Sequence, residues 1–291
     1  MIYTIQNETL SVSVSDCGAE MTSVRHADGT ELLWQGDANY WTGHAPIMFP
    51  ICGRLYEGNY TYRGQTYTMP NHGIARRATF VCKHHTDTRL ELSLVANEDT
   101  KKQYPFSFVF TVCFALTGNT LRITYVVENT DEKPMPFAVG GHPAFNVPQA
   151  DGAFSDWSVT FANAGYTPKR LALTAQGFCT HADTAFPLTD GRTVPLSHRM
   201  FDNDAIFLYN TDRALTLSSP NAVHPITVRF ADFPYIGLWH TTGSDAPFLC
   251  IEPWSSIPAD DGVTDDLETK REMYLAQPSE TRTFSYTVSV D

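Results

Sequence analysis

Apolar and polar residues alternate with a period of two through most of the chain. Leu10, Val12 and Val14 share one face of an opening segment, and Leu90, Leu92 and Leu94 repeat the pattern in RLELSLVAN. Phe106, Phe108 and Phe110 do the same, as do Leu121, Ile123, Tyr125 and Val127. Nearer the C-terminus, AIFLYN, ALTLSS, PITVRFADF, YIGLWHT and TFSYTVSV predict further strands. Such alternation places one face in a core and the other in solvent or a second layer. The segment YTYRGQTY, with Arg63-Gly64 between Tyr-rich arms, predicts a hairpin. Helical periodicity is nearly absent; one acidic-to-basic stretch, DDLETKREMY, predicts two helical turns. Gly and Pro, 18 of each, interrupt the segments at intervals usual for sheet connections. There is no low-complexity linker and no repeat of solenoid period. The pattern predicts an all-β fold, a large antiparallel β-sandwich forming one domain over 1–291.

Composition narrows the partners. Asp and Glu total 32 against 20 Lys and Arg, a net charge of −12. That surface repels phosphate backbones and no Lys/Arg run offers an exception, so no nucleic-acid partner is expected. An anionic metabolite stays compatible, because two or three arginines inside a pocket override the global field. No stretch reaches the ~20 apolar residues of a membrane helix. The opening MIYTIQNETL has no basic segment followed by an apolar one, so no membrane partner and a cytoplasmic location are expected. The six cysteines lack any C-x-x-C pair, which predicts reduced, mostly buried structural thiols. Oligomeric state has no signal in the pattern.

Three segments break the strand pattern with Gly, Pro and chemically capable side chains. They are WTGHAPIMFPICGRLYEGNY with the later MPNHGIARR, then GGHPAFNVP, then CIEPWSSIPADDG. Each ends a strand-like run, where a rigid scaffold carries binding and catalytic groups. His142 follows two glycines and precedes Pro143, which favours an extended backbone in open surroundings. His72 in PNHGIAR has similar flanks. Glu252 sits between the apolar FLCI and Pro253-Trp254, where desolvation raises a carboxyl toward a usable base. Arg54, bracketed by Cys52, Gly53 and Leu55, needs a carboxylate or an oxygen-rich ligand. Asp204 enters an apolar strand in FDNDAIFLYN, with Asp202 as its competitor. Trp41, Phe145, Trp239 and Trp254 are candidate platforms for a flat ligand, although core packing is the commoner use of such aromatics. His240, beside Trp239, should point to the opposite face. His84 and His85 lack spaced ligand partners, so no metal site is expected there. No G-x-S-x-G or Gly-rich phosphate loop is present, which weakens hydrolase and nucleotide readings.

Taken in order, the GRL, NHG and HPxFN segments and the late Glu resemble the aldose 1-epimerase (galactose mutarotase-like) superfamily, from about Trp41 to Glu252. The resemblance implies a large twisted β-sandwich and a cofactor-independent isomerase that exchanges the α and β anomers of an aldose. It puts the general base on Glu252 and the general acid on His142. It gives His72 the task of holding and polarising the sugar, places Arg54 in the pocket lining and assigns sugar hydroxyls to Asp204. Two departures bear on substrate. The third segment is EPWSSIPADDG rather than a Glu with a nearby Gln, and NHG continues as IARR. An arginine in that context looks like the glucose-6-phosphate 1-epimerase branch, with Arg54 and Arg76 as phosphate ligands. A hexose-6-phosphate 1-epimerase and a non-catalytic carbohydrate-binding protein of the same fold are the alternatives. Ring opening and reclosure need one group to take the anomeric hydroxyl proton while another protonates the ring oxygen, so the chemistry requires neither metal nor nicotinamide. On this reading neighbouring carboxylates keep His142 protonated.

Overall fold

The computed structural model describes all 291 residues, Met1–Asp291. Strands form where the alternation places them. Leu10–Ser15 and Phe108–Thr117 alternate strictly between buried and half-buried positions, and Thr120–Asn129 follows after a two-residue turn. Phe108–Thr117 and Thr120–Asn129 belong to the larger of two big antiparallel sheets, whereas Leu10–Ser15 pairs with Ile2–Gln6 and Met21–His26 in a separate three-stranded sheet. The nine-stranded sheet runs from Thr193–Pro195 at one edge to Val81–His85 at the other, with Thr281–Val290, Thr120–Asn129 and Phe108–Thr117 in its middle. The eight-stranded sheet centres on Tyr235–Trp239 and Phe248–Trp254. Both contribute to a cluster of 64 buried apolar side chains, each worth ~1.5–3 kcal/mol for a fully buried Leu, Ile or Phe. The architecture is the predicted β-sandwich.

The strand Phe248–Trp254 is buried at every position, and the register explains why. Leu249 and Ile251 enter the main core together with Ile236, Leu238, Ile206 and Leu208 of the neighbouring strands. Cys250, Glu252 and Trp254 lie on the other face, opposite Trp239, Gly237 and Tyr235, with Phe207 opposite Gly237 in turn. Opposed residues of antiparallel strands share a face. One side of this sheet therefore builds the sandwich, and the other builds a pocket.

Several details correct or complete the sequence reading. Asn59–Tyr62 and Gln65–Thr68 form the hairpin, with Arg63 (φ 49°) and Gly64 (φ 74°) both in the left-handed region that a tight two-residue loop requires. The predicted helical turns at DDLETKREMY do not form a helix. One turn closes there, Lys270 N–H to Asp266 O at 2.8 Å, while the buried Lys270 ammonium pairs with Asp265 at 3.4 Å and Glu272 turns left-handed (φ 60°). That tertiary anchoring outweighs the weak helical propensity of the segment. An α-helix forms instead at Glu98–Gln103, where Asn97 caps the N–H groups of Asp99 and Thr100 at 2.9 and 3.0 Å. All six cysteines are free thiols, but only Cys52, Cys179 and Cys250 are buried, and Cys17 is exposed. No helix is long and apolar enough to cross a membrane.

Candidate active site

Glu252 needs a gap in the neighbouring strand, and Gly237 supplies it. A Cβ at Gly237 would lie 3.1 Å from Glu252 Cβ and 2.5 Å from Phe207 Cε1, so only glycine lets those two side chains share the face. Across the strand, Gly140 pairs with Trp254 and the chain turns to place His142 beside the carboxyl. His142 Nε2 lies 3.4 Å from Glu252 Oε1, although the residues are far apart in sequence. The second carboxyl oxygen, Oε2, accepts the indole N–H of Trp254 at 3.1 Å. The imidazole stacks on Trp41 (5.1 Å between centroids, 28°) and meets the edges of Trp239 and His72.

That enclosure decides the charges. Burial pushes His142 down to about 3, with Arg76 acting in the same direction. Burial pushes Glu252 well above the ordinary carboxyl value, against the Trp254 hydrogen bond and with help from Asp204. The sequence reading expected carboxylates to keep His142 charged; desolvation wins, because each charged form loses its water in a wall of aromatic rings. A proton shared by the two groups therefore rests on the carboxyl rather than on the imidazole.

His72 stands next to this pair. Its Nδ1 accepts the backbone N–H of Gly53 at 3.2 Å, which leaves Nε2–H as a donor. Burial, then competition with the neighbouring His142 for a proton and the guanidiniums of Arg76 and Arg54, hold it well below its usual value, so the ring is a neutral donor. His72 is left-handed (φ 64°) and Gly73 follows at φ 78°, where a Cβ would collide with the Phe49 carbonyl. The tight turn at Asn71–Gly73 thereby fixes the ring. Asp204 (φ 71°) accepts the indole N–H of Trp239 at 3.0 Å and lines the cavity, whereas its competitor Asp202 is exposed and outside it.

These residues surround one cavity of about 290 Å³, close to the lower end of ligand pockets (~300–1,000 Å³). Glu252, His142, His72, Arg54, Asp204, Arg76 and Trp239, all singled out from the sequence, line it together. Phe145 does not. It is 1% exposed, lies opposite Leu249 and packs into the main core, because the strand's alternation puts it on the face opposite Ala144 and Cys250. His240 points away from the cavity, against Phe201 and His198. Trp41 and Trp254 supply the remaining aromatic walls. Asn71 went unnoticed in the sequence: it lines the cavity and its Oδ1 is buried without a partner, but within PNHG it reads as an ordinary turn residue. Arg54 and Arg76 enter none of the chain's ion pairs. Arg54 is exposed at the rim and Arg76 half-buried.

Comparison with known proteins assigns this β-sandwich, with its imidazole–carboxyl pair in an aromatic-walled cavity, to a family. The aldose 1-epimerase family model matches residues 1–264, and the chain belongs to that family. It is 32% identical, over all of this chain and 99% of the relative, to the plasmid-encoded protein LacX of Lactococcus lactis subsp. lactis. Among solved structures, a galactose mutarotase-like protein from Lactobacillus casei superposes with a TM-score of 0.95 at 32% identity, covering 100% of both chains. A galactose mutarotase related enzyme from Lactobacillus acidophilus gives 0.94 at 32% identity, covering 100% of this chain and 97% of that one.

Proposed function

We propose that the chain interconverts the α and β anomers of a monosaccharide by general acid–base ring opening. The observation that carries this reading is the 3.4 Å contact between His142 Nε2 and Glu252 Oε1 at the base of one cavity. The anomeric hydroxyl and the ring oxygen are bonded to the same carbon, so the base and acid that serve them must stand side by side. Sugar hydroxyls arriving at Glu252 hydrogen-bond to the carboxylate and favour its charged form, which moves the shared proton to His142. Glu252 then takes the O1 proton while His142 protonates the ring oxygen; the C1–O5 bond breaks and C1=O1 forms. Rotation about C1–C2 presents the other carbonyl face, and reclosure returns both protons by the reverse steps. His72 Nε2–H and the Asp204 carboxylate hold hydroxyls, and Trp41 and Trp239 cover C–H faces of the ring. The reading takes 1–291 as one domain, supported by the single main core that runs from Ile5 to Val290.

The test is polarimetry or exchange NMR on freshly dissolved α-glucose and α-galactose. His142→Ala should lower the catalysed rate by at least ~10²-fold, the usual contribution of a positioned acid or base. A wild-type chain that binds sugar in calorimetry without accelerating exchange would leave a carbohydrate-binding protein. A second reading rests on one observation, the two unpaired guanidiniums of Arg54 and Arg76 at the cavity. They suit a phosphorylated sugar, since arginine presents paired N–H donors to phosphate. Under it, Arg76→Ala should selectively lower the rate on glucose 6-phosphate and spare glucose; equal losses on both would dismiss the phosphate.

A further inference from the structure

Three ligand-type side chains outside the sugar cavity converge on one point. His26 ends the strand Met21–His26, Asp28 follows it in the turn, and His224 lies in the connection before Ile226–Arg229. Asp28 Oδ2 is 2.8 Å from His224 Nε2, and Asp28 Oδ1 is 3.1 Å from His26 Nδ1. The two imidazole rings lie with centroids 3.8 Å apart, tilted by 42°, and one ligand atom from each residue falls within 4.8 Å of the others. His224 is buried, His26 half-buried and Asp28 exposed, so the cluster has a firm base and an open side.

One tautomer of the cluster presents its nitrogen lone pairs to a cation. His224 Nδ1 lies 3.2 Å from the Asp291 main-chain oxygen, which only accepts, so the tautomer with its proton on Nδ1 meets that contact. In the neutral ring Nε2 then offers a lone pair, and it faces a carboxylate oxygen. His26 Nδ1 takes the backbone N–H of Asp28 at 3.4 Å and likewise presents a lone pair to the same carboxylate. Positive charge among these atoms, a ring proton donated to the carboxylate or a metal ion, makes the contacts favourable. Two imidazole nitrogens and one carboxylate oxygen are a Zn²⁺-type donor set, and bonds of ~2.0–2.2 Å bring such donors to about 3–3.5 Å from one another. The Nδ1–H bond to a carbonyl is the outer contact that orients a histidine ligand.

We infer that His26, Asp28 and His224 form a binding site for one zinc-class divalent cation, distinct from the sugar cavity. The ion ties the turn at 26–30 to the connection before Ile226, segments almost 200 residues apart (196 between Asp28 and His224), and its role is to clip the fold rather than to react. The full chain, stripped with a chelator, is titrated with Zn²⁺ by calorimetry and with Co²⁺ by visible absorption. One equivalent should bind and raise the Tm. His26→Gln and Asp28→Asn, both at accessible positions, should each weaken binding at least ~10-fold. His142→Ala disrupts the chain's other His/Cys/Glu cluster, with Cys250 and Glu252, and should leave the affinity unchanged. In the wild type, imidazole ¹H–¹⁵N signals of His26 and His224 should shift on adding Zn²⁺. No binding, binding that survives both variants, or binding lost in His142→Ala overturns the site; a doubly protonated His224 that ignores Zn²⁺ would show the cation to be a proton alone.

Discussion

Replacing Glu252 with Gln separates what this side chain does for stability from what it does for catalysis. The amide keeps the carboxyl's shape and leaves an oxygen to accept the Trp254 indole N–H at 3.1 Å, so the fold should persist. In the native chain burial holds the carboxyl well above its ordinary 4.5, whereas in the unfolded chain it ionises near that value. The native state therefore binds more protons than the unfolded one above pH 4.5. Its stability is full below that pH and falls as pH rises, until the native carboxyl itself ionises. The slope is about 1.4 kcal/mol per pH unit per proton. Gln cannot ionise, so the variant lacks this loss. His142 contributes the opposite slope below its ordinary 6.5, but it does so in both proteins and drops out of the difference. Urea unfolding of both proteins at pH 5, 6, 7 and 8 should show Glu252→Gln gaining on the wild type as pH rises from 5, the gain levelling off where the native carboxyl ionises. Over the same range its mutarotation rate should fall by at least ~10²-fold. Parallel stability curves would mean that the native carboxyl is already ionised. A near-normal rate would remove Glu252 as the base.

Two further substitutions probe the supports of the site. Trp254→Phe removes the one N–H that Glu252 Oε2 accepts; a hydrogen bond to a charged group is worth ~1.5–3 kcal/mol, so kcat should drop about 10- to 100-fold with KM little changed, and a KM effect alone would refute the positioning role. Gly73→Ala places a Cβ against the Phe49 carbonyl at φ 78°, and should cost ~1–3 kcal/mol in urea unfolding and displace His72; an unchanged midpoint would show the turn to be pliable.

How far the chain can be read without its structure differs from residue to residue. The strands of the middle and C-terminal regions follow from strict alternation, since a period of two has only one way to bury its apolar half. The Arg63-Gly64 turn follows from local chemistry as well. The helix at Glu98–Gln103 and the failed helix near Lys270 do not, because a single cap in one case and a buried ion pair in the other settle the outcome. His142, His72, Glu252, Arg54 and Arg76 stand out by their Gly and Pro flanks and apolar neighbours, while Phe145 and Asn71 show the limit of that signal. Phe145 sits inside a suggestive motif yet faces the core, and Asn71 looks like a plain turn residue yet faces the cavity.

Alternation, turn residues and composition are local quantities, and by themselves they determined the β-sandwich, its strands and the short roster of chemically capable side chains. Which of these meet was decided by strand order and register, which set Glu252 opposite Gly237 and beside His142. The protonation of that pair is likewise tertiary. It depends on how much water three aromatic rings exclude, and no single segment of the chain carries that information.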